Sequence, residues 1–385
     1  MAQPNVLNPH GLRIALVLQG GGALGAYQAG VYQALHEHDL VPDWIVGTSI
    51  GAVNAALIAG NRKQDRLARL RGFWERVSHP DRVDMERVSD SQRRSNITFS
   101  TIDAVFHGVP GFFTPRWLHG FALGLPVAPE SASFYDTTEL RNTLADLVDF
   151  DFLNSADSMR LTVNAVNVAT GQLTHFDSHA MRIEPDHVRA SGSLPPAFPP
   201  VRIDGQLYWD GGLYSNTPLE SVLGATAEGD VLCFMVDLWS ARGPEPYTFD
   251  QVQTRQKDVT YASRSSRHIA DYAKMHRLQY KLRELYARLP PEQRTVEDER
   301  DLAALGCEST LHIVRLPYSG RDWHMAAKDI NFSKGSIDWR WDQGYADAMR
   351  AVGDAAWLRH IEEDTAVVVH ELPSDRDRRR DPNRA

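Results

Sequence analysis

The chain reads IALVLQGGGALG over residues 14–25 and DWIVGTSIG over residues 43–51, and these two stretches decide its fold class. Each begins with a short apolar run and ends in glycines, which is typical of a buried strand that stops at a tight turn. Each is followed by a helical pattern, in which apolar residues recur every three or four positions. Strands that alternate with helices in this way predict an α/β protein with a parallel sheet covered by helices.

Further strands are predicted in the second half of the chain. Two hairpins are expected, one around the turn at residues 169–171 and one around Asp204-Gly205, a favoured two-residue turn. Apolar runs at residues 231–238 and 311–316 have the length and composition of buried strands. Cys233, one of two cysteines, lies inside the first of these runs, so we expect it to be buried, without a disulfide framework or a cysteine-based metal site.

The overall charge narrows the classes of partner. The 385 residues include 41 Lys or Arg and 50 Asp or Glu, which gives a formal net charge of −9. A negative chain has no general attraction for a polyanion, so nucleic acid is not expected as a principal partner. The N-terminus lacks the basic start and apolar core of a signal peptide, and no stretch reaches the ~18 apolar residues of a membrane span. We therefore expect a cytoplasmic protein.

Gly47-Thr48-Ser49-Ile50-Gly51 matches the pattern G-x-S-x-G at the point where a predicted strand passes into a predicted helix. This is the context of a nucleophile elbow, a sharp turn that exposes a serine hydroxyl. Glycines flank the serine because such a turn leaves no room for side chains, and the helix N-terminus favours negative charge that develops nearby. The motif nominates Ser49 as a nucleophile, with a plain tight turn as the alternative.

The glycine-rich block at residues 20–25 fits two kinds of site. Glycines at the end of a strand offer backbone N–H groups to an anion, such as the oxyanion that forms during acyl transfer. The same residues match G-x-G-x-x-G, the dinucleotide-binding fingerprint. That fingerprint requires an acidic residue at the end of the second strand, whereas Asp43 stands at its beginning. Since no Lys-Ser or Lys-Thr pair follows the glycines, a P-loop is not expected.

A serine nucleophile needs a base, and the sequence offers two kinds of candidate. His312 and His324 lie nearest to the late position that a Ser…Asp…His order requires, but neither has a diagnostic neighbourhood. Asp210 ends a predicted hairpin strand and precedes Gly211-Gly212, which allow close backbone approach. A carboxylate held there can take the serine proton directly, so Asp210 is the better candidate.

In their order along the chain, these motifs resemble those of the patatin-like phospholipase family. The resemblance rests on the glycine-rich block at residues 20–25, the elbow at residues 47–51 and the motif Asp210-Gly211-Gly212. Residues 190–195, Ala-Ser-Gly-Ser-Leu-Pro, look like the Ala-Ser loop that precedes the last of these motifs. Together the motifs are highly specific, and they cover about residues 12–220.

The resemblance implies a three-layer α/β/α fold with a mostly parallel sheet, and a serine acyl-ester hydrolase without a metal or cofactor. It implies that Ser49 is the nucleophile, that Asp210 is its partner in a dyad without histidine, and that Gly20, Gly21 and Gly22 form the oxyanion hole. The implied substrate is most often a phospholipid or lysophospholipid. Family members often carry Arg or Lys where this chain has Leu24, so neutral glycerides, short-chain esters and polyester oligomers remain candidate substrates.

The composition also suggests how the chain is divided. We expect a patatin-like catalytic domain at residues 1–240, in which the Pro-, Gly- and aromatic-rich residues 78–135 form a lid, an acyl-pocket wall or a packed satellite cluster. Residues 241–372 are predicted to form a helix-rich C-terminal extension. Residues 373–385 are nearly all Asp, Arg, Pro and Asn, which is typical of a disordered tail.

Two other classes of function stay open. A dinucleotide-dependent oxidoreductase would use the glycines at residues 20–25 and would be indifferent to loss of the Ser49 hydroxyl. A catalytically silent lipid-binding protein would keep the fold and bind lipid without turnover. The acyl hydrolase ranks first because it alone uses Ser49 and Asp210 together.

A basic stretch predicts contact with an anionic membrane. Residues 255–288 hold nine Lys or Arg against three acidic residues, a local +6 that leaves −15 for the rest of the chain. Leu278, Leu282, Leu285 and Leu289 recur at helical spacing within or just beyond it, which is the pattern of an interfacial helix. The alternative is that this apolar face packs on the α/β domain.

Overall fold

The computed structural model describes residues 6–8, 11–82, 89–116, 126–224, 230–262, 265–304, 310–320, 325–358 and 367–371. The predictions for His324 and for the tail at residues 373–385 lie outside these ranges. Among the described residues, no helix is long and apolar enough to cross a membrane.

Nine strands of the described residues form one central sheet, and two short strands form a separate ribbon. The strands are β1 (Arg13–Leu18), β2 (Trp44–Gly47), β3 (Thr114–Pro115), β4 (Tyr135–Asp136), β5 (Arg160–Asn167), β6 (Leu173–Asp177), β7 (Val201–Ile203), β8 (Gln206–Asp210), β9 (Val231–Asp237), β10 (Leu311–Pro317) and β11 (Val367–Glu371). The order β11-β10-β9-β1-β2-β5 is parallel throughout. Strands β8 and β7 continue the sheet antiparallel, and β6 pairs antiparallel with β5.

The helices cover the sheet and the loops around it. They are α1 (Ala26–Glu37), α2 (Ile50–Ala59), α3 (Arg66–Arg76), α4 (Asp90–His107), α5 (Thr138–Leu147), α6 (Phe150–Leu153), α7 (Pro185–Ser191), α8 (Leu219–Gly224), α9 (Phe249–Tyr261), α10 (Ser265–Ala287), α11 (Val296–Ala304) and α12 (Lys334–Asp354). A single 3₁₀ turn, Gly22–Gly25, connects β1 to α1.

The two faces of the sheet carry separate apolar cores. In β1, Leu16 and Leu18 point into a cluster that includes α1, α2, α3 and α12, whereas Ala15 and Val17 point into a cluster with α8 and the start of α10. Alternate residues of a strand face opposite sides, so helices lie on both faces of the sheet. The structure thereby confirms the expected three-layer α/β/α fold with a mostly parallel sheet.

The elements predicted from the sequence are present. Both hairpins form, and Asp204 and Gly205 have φ of 47° and 79°, as a two-residue hairpin turn requires. Cys233 is buried within β9, as expected. The sequence did not predict helix α4, which begins with a capping box between Ser89 and Gln92.

The C-terminal third contributes to the same sheet. Strand β10 pairs with β9, and β11 pairs with β10. Helix α12 lies against α1, where a Cβ on Gly30 would come within 1.9 Å of the Trp341 carbonyl oxygen and one on Gly344 within 2.0 Å of the Tyr27 carbonyl oxygen. The division of the chain at residue 240 stays a prediction, while strands from both sides of it are hydrogen-bonded neighbours.

Candidate active site

Ser49 stands in the sharp turn between β2 and α2, as the sequence predicted. Its φ of 56° and ψ of −125° are unusual for a residue with a side chain. Such strain persists only where the surroundings enforce it, and it is frequent at functional sites. A Cβ on Gly47 would come within 2.4 Å of the Gly51 carbonyl oxygen, and one on Gly51 within 2.2 Å of the Leu18 carbonyl oxygen. The two flanking glycines are therefore a steric requirement of the turn.

Asp210 lies opposite Ser49 at the end of β8. Both side chains line the same cavity, and the Ser49 hydroxyl acts on the pKa of the Asp210 carboxyl as a neighbouring hydrogen-bonding group. The Gly212 amide donates a hydrogen bond to Asp210 Oδ1 at 2.7 Å. Gly211 follows Asp210 and packs closely on Asn164. A Cβ on Gly211 would come within 2.6 Å of the Asn164 carbonyl oxygen. The two glycines after Asp210 thus let the strand end turn tightly and let one amide orient the carboxylate.

Burial gives Asp210 the properties of a base. Its side chain is 3% exposed, and this burial raises its pKa to about 7, although the hydrogen bonds from Gly212 and Ser49 act in the opposite direction. A carboxylate with a pKa near neutrality accepts a proton much more readily than an exposed aspartate does. No positive side chain is among the causes of the shift, so the carboxylate is held by neutral donors.

A second loop fixes the backbone of Ser49. The Ser191 hydroxyl oxygen accepts a hydrogen bond from the Ser49 amide at 3.0 Å, and the Asp210 amide donates to the Ser193 carbonyl at 3.0 Å. Ser191 and Ser193 are both fully buried. Residues 190–195, which resemble an Ala-Ser loop, therefore tie the elbow and the end of β8 together.

The three glycines of the first motif differ in what their amides do. The Gly20 amide donates to the Asn216 carbonyl at 3.1 Å, so it is already engaged. Within the described residues, the Gly21 and Gly22 amides make no backbone hydrogen bond of this kind. Of the three glycines that the resemblance implies for an oxyanion hole, Gly20 is thus the one whose amide is already occupied.

The Gly21 amide is aimed by contacts on the other side of its peptide plane. The Gly20 carbonyl accepts hydrogen bonds from Asn216 Nδ2 at 3.1 Å and from Trp239 Nε1 at 2.8 Å. In a trans peptide the C=O and the following N–H point in opposite directions. Two donors that hold the Gly20 carbonyl therefore also fix the direction of the Gly21 N–H.

Ser49 and the glycines share a mostly apolar cavity of about 430 Å³. Its walls include a cluster of aromatic rings in which Phe113 lies 5.2 Å from Phe198 and 4.9 Å from Tyr135, measured between ring centroids. Phe112 also lines the cavity, and so do Ala104 and Val105 of α4. The described part of residues 78–135 thus contributes a wall to the cavity beside Ser49.

His312, Leu24 and Lys257 take different positions relative to the cavity. His312 stacks on His370 at a centroid distance of 5.6 Å, on strands near the β11 edge of the sheet, and does not line the cavity. Leu24 is fully buried in the core, so a residue at that position does not face a substrate in this cavity. Lys257 of α9 does line the cavity, and its Nζ lies 2.7 Å from Asp329 Oδ1.

The sequence did not reveal the residues whose hydrogen bonds position the turns around Ser49 and the glycines. Asn164, on β5, accepts a hydrogen bond from Thr48 Oγ1 at 2.6 Å, and Gln19 Oε1 accepts one from the Trp239 amide at 2.9 Å. Asn216 and Trp239 follow β8 and β9 and meet at the Gly20 carbonyl. None of them carries a motif of its own, because their roles arise only when neighbouring strand ends come together.

Comparison with known families gives two matches along the chain. A family model described as patatin-like phospholipase matches residues 16–223. A second model, described as patatin phospholipase, matches residues 259–364. The first match contains Ser49, Asp210 and the glycines of the three motifs, at residues 20–25, 47, 51, 211 and 212.

Among curated proteins, the chain is 30% identical over 229 residues to an uncharacterized NTE family protein of Mycobacterium tuberculosis, which covers 59% of this chain and 30% of that protein. It is also 30% identical over 213 residues to the lysophospholipase NTE1 of Cryptococcus neoformans, with 54% of this chain and 10% of that protein covered. The chain thus spans less than a third of the length of these relatives. Among solved structures, the human GIVD cytosolic phospholipase A2 in complex with methyl gamma-linolenyl fluorophosphonate matches 89% of this chain and 57% of that chain, at 13% identity and a TM-score of 0.40.

Proposed function

The chain belongs to the patatin-like phospholipase family, and from this premise we propose that it is a serine acyl-ester hydrolase that acts on lipids. The observation that carries the proposal is that Ser49, in its strained turn, and the buried carboxylate of Asp210 line the same cavity, where the Ser49 hydroxyl acts on the pKa of Asp210. A serine hydroxyl is a weak nucleophile on its own and needs such a base.

In the first half of the proposed reaction, Ser49 Oγ attacks the ester carbonyl carbon while its proton passes to Asp210. The carbonyl oxygen becomes an oxyanion, which the amides of Gly21 and Gly22 stabilise as hydrogen-bond donors. The tetrahedral intermediate collapses when the bond to the leaving alcohol breaks, and Asp210 returns the proton to that alcohol. The product at this stage is an acyl-enzyme on Ser49.

In the second half, a water molecule takes the place of the alcohol. Asp210 accepts a proton from the water as its oxygen attacks the acyl carbon, and the same two amides stabilise the second oxyanion. The bond to Ser49 Oγ then breaks, the proton returns to Ser49, and the carboxylic acid leaves. A single carboxylate thus serves as base and acid in both halves, without a histidine.

The cavity supports a lipid as the acyl donor. Its apolar walls and the aromatic cluster of Phe112, Phe113, Tyr135 and Phe198 suit a fatty acyl chain better than a polar acid. The curated relative named lysophospholipase supports a phospholipid or lysophospholipid substrate. We therefore propose phospholipase A or lysophospholipase activity, with neutral esters as the competing substrate class.

A substrate panel tests the proposal. Purified wild type and Ser49→Ala are compared on p-nitrophenyl esters of increasing chain length, on phosphatidylcholine and on lysophosphatidylcholine. We expect turnover by wild type, with preference for a long acyl chain, and none above background by Ser49→Ala. Lipid binding without turnover by wild type would instead identify a silent lipid-binding protein and would contradict the proposal.

The dinucleotide alternative finds little support in the geometry. Asp43 Oδ2 accepts a hydrogen bond from the Ile14 amide at 2.7 Å, at the start of β1 and away from the glycines that follow its end. The carboxylate that would bind a ribose is therefore engaged elsewhere. Retention of a nicotinamide or flavin cofactor by purified protein would revive this alternative.

We also propose that helix α10 contacts anionic membranes. Its first half is anchored, because Ile269 and Tyr272 pack with the second apolar core. In its second half Leu278, Leu282 and Leu285 are 58%, 48% and 58% exposed, which favours membrane contact over packing of this face on the α/β layers. Exposed leucines beside a basic stretch are the two ingredients of an interfacial helix.

A further inference from the structure

The C-terminal third of the chain contacts the turn at residues 21–25, which carries the candidate oxyanion donors. The Ala23 amide donates to the Asp329 carbonyl at 2.8 Å. Gly22 has a φ of 55°, and a Cβ there would come within 2.3 Å of the same carbonyl oxygen. The backbone at Asp329 therefore lies directly against the glycine turn.

One buried guanidinium joins the turn to this segment. Arg340 of α12 is fully buried, and its Nη1 donates to the carbonyls of Ala23 and Asn331, both at 3.1 Å. Its Nη2 donates to the Lys328 carbonyl at 2.8 Å. The planar fork of an arginine holds several acceptors in fixed relative positions, which a lysine cannot do.

A second cation secures the segment from the opposite element. Lys257 Nζ, on α9, donates to both carboxylate oxygens of Asp329, at 2.7 and 3.0 Å, and to the Ala326 carbonyl at 3.0 Å. These three acceptors match the three donors of an ammonium group. Residues 326–331 are thus hydrogen-bonded to both α9 and α12 while they contact the glycine turn. We call this arrangement of Lys257, Arg340 and residues 326–331 the clamp.

We infer that Arg340 is a positioning residue of the oxyanion hole, acting through the Ala23 carbonyl and the clamped segment at residues 326–331. Glycine peptides rotate easily, so amides at Gly21 and Gly22 stay aimed only if neighbouring atoms hold them. Amides that are aimed in advance stabilise an oxyanion without reorganisation during the reaction. This inference rests on the proposed function and adds a role for a region without catalytic motifs.

The test separates transition-state effects from substrate binding. We expect Arg340→Met to lower kcat by about 10- to 100-fold and to leave KM within about twofold, because the oxyanion exists only beyond the ground state. The affinity for a long-chain trifluoromethyl ketone, which forms an oxyanion on Ser49, should fall by the same factor as kcat/KM. Arg340→Lys should recover part of the loss, since the ammonium restores a charged donor group without the planar fork of the guanidinium.

Arg350→Met is the matched control. Arg350 lies on the same helix and pairs with Asp347, and its replacement should leave kcat and ketone affinity unchanged. Unchanged kcat in a folded Arg340→Met protein, or a change confined to KM, would overturn the inference. Failure of wild type itself to hydrolyse esters would overturn it together with the proposed function, so the two failures are distinguishable.

A second variant guards against loss of folding. If Arg340→Met melts below the assay temperature, Lys257→Met opens the clamp from its more exposed side. We expect a smaller fall in kcat, about 3- to 10-fold, with a matching loss of ketone affinity, because small displacements of catalytic groups are costly. Wild-type kcat in Lys257→Met, or an effect on KM alone, would count against the clamp.

Discussion

The side chains of Ser49 and Asp210 line one cavity, although Ser49 follows a parallel strand and Asp210 ends an antiparallel strand of the sheet. Ser49 follows β2 and Asp210 ends β8, with β5 between these strands. The carboxylate is buried, its pKa is raised to about 7, and the Gly212 amide donates a hydrogen bond to it. This pair is the centre of the proposed mechanism, and the first prediction follows from its ionisation.

The pH dependence of activity should report the ionisation of Asp210. Only the carboxylate form accepts the serine proton, so kcat/KM should rise with pH along a limb whose pKa lies near 7. The measurement is kcat/KM for a soluble p-nitrophenyl ester between pH 5 and 9. A flat profile over this range, which an ordinary aspartate with a pKa near 4 would give, would contradict the raised pKa of Asp210.

The free energy of unfolding should fall with rising pH over the range in which kcat/KM rises. The folded state holds the Asp210 proton more tightly than the unfolded state does, so stability is lost as pH rises from about 4 to about 7. Asp210→Asn removes this pH-dependent loss of stability. The pKa shift of Asp210, from about 4 to about 7, limits that loss to about 4 kcal/mol. Thermal melting of both proteins at pH 5 and pH 8 checks this prediction. A melting temperature of wild type that rises from pH 5 to pH 8 relative to that of Asp210→Asn would contradict it.

Substitution in the glycine turn should affect kcat much more than KM. A Cβ at Gly21 would come within 2.8 Å of Leu238 Cδ1, and one at Gly22 is disfavoured by its φ of 55° as well as by Asp329. Gly21→Ala or Gly22→Ala should lower kcat by about 10²–10³-fold, the usual cost of an oxyanion donor. Gly353→Ala, which meets no atom within 4 Å, is the control. A change in KM alone would indicate that the glycines hold substrate or a phosphate.

The aromatic wall should set the preferred acyl length. Phe198 contacts Phe112 and Phe113, at centroid distances of 6.2 and 5.2 Å, and all three line the cavity. Phe198→Ala should enlarge the cavity and shift the preference in kcat/KM toward longer p-nitrophenyl esters. Phe106→Ala, at a ring that is 50% exposed and does not line the cavity, should leave the preference unchanged. Equal chain-length profiles for wild type and Phe198→Ala would place the acyl chain elsewhere.

Membrane contact should depend on salt and on helix α10. Each basic residue near an anionic surface contributes about 1 kcal/mol, and salt screens this attraction. Co-sedimentation with phosphatidylserine-containing vesicles should therefore weaken steeply with ionic strength and with Lys274, Arg277 and Lys281 changed to Gln. A control triple variant at Arg94, Arg242 and Arg300, which are exposed elsewhere, should bind as wild type does. Absence of binding at low salt would leave α10 as ordinary surface.

The sequence predicted the turns of the site because steric demands select residue types. Gly47 and Gly51 are required by carbonyl oxygens within 2.4 Å of their missing side chains, and such demands leave a motif. The hydrogen bonds that the backbone amides make leave no such motif in the sequence. The Gly20 amide donates to the carbonyl of Asn216, which reaches the turn because the segment after β8 runs to the end of β1, although β2 and β5 lie between these two strands.

Helix α4 escaped prediction for a related reason. Its buried face contains Asn96 and Ser100, whereas Phe99 and Phe106 are about half exposed, so the usual apolar periodicity is inverted in part. The capping box between Ser89 and Gln92 was the available signal. Arg340 likewise lies in a segment without motifs, because its acceptors are backbone carbonyls that any sequence could supply.

The most direct test of the dyad is the steady-state hydrolysis of one p-nitrophenyl ester by wild type, Asp210→Asn and His312→Ala, each first shown to be folded by its melting temperature. An asparagine amide cannot accept the serine proton, so we expect Asp210→Asn to lose about 10²–10⁴-fold in kcat. We expect His312→Ala to retain wild-type kcat. Survival of activity in Asp210→Asn together with its loss in His312→Ala would contradict the account and would identify a histidine as the base.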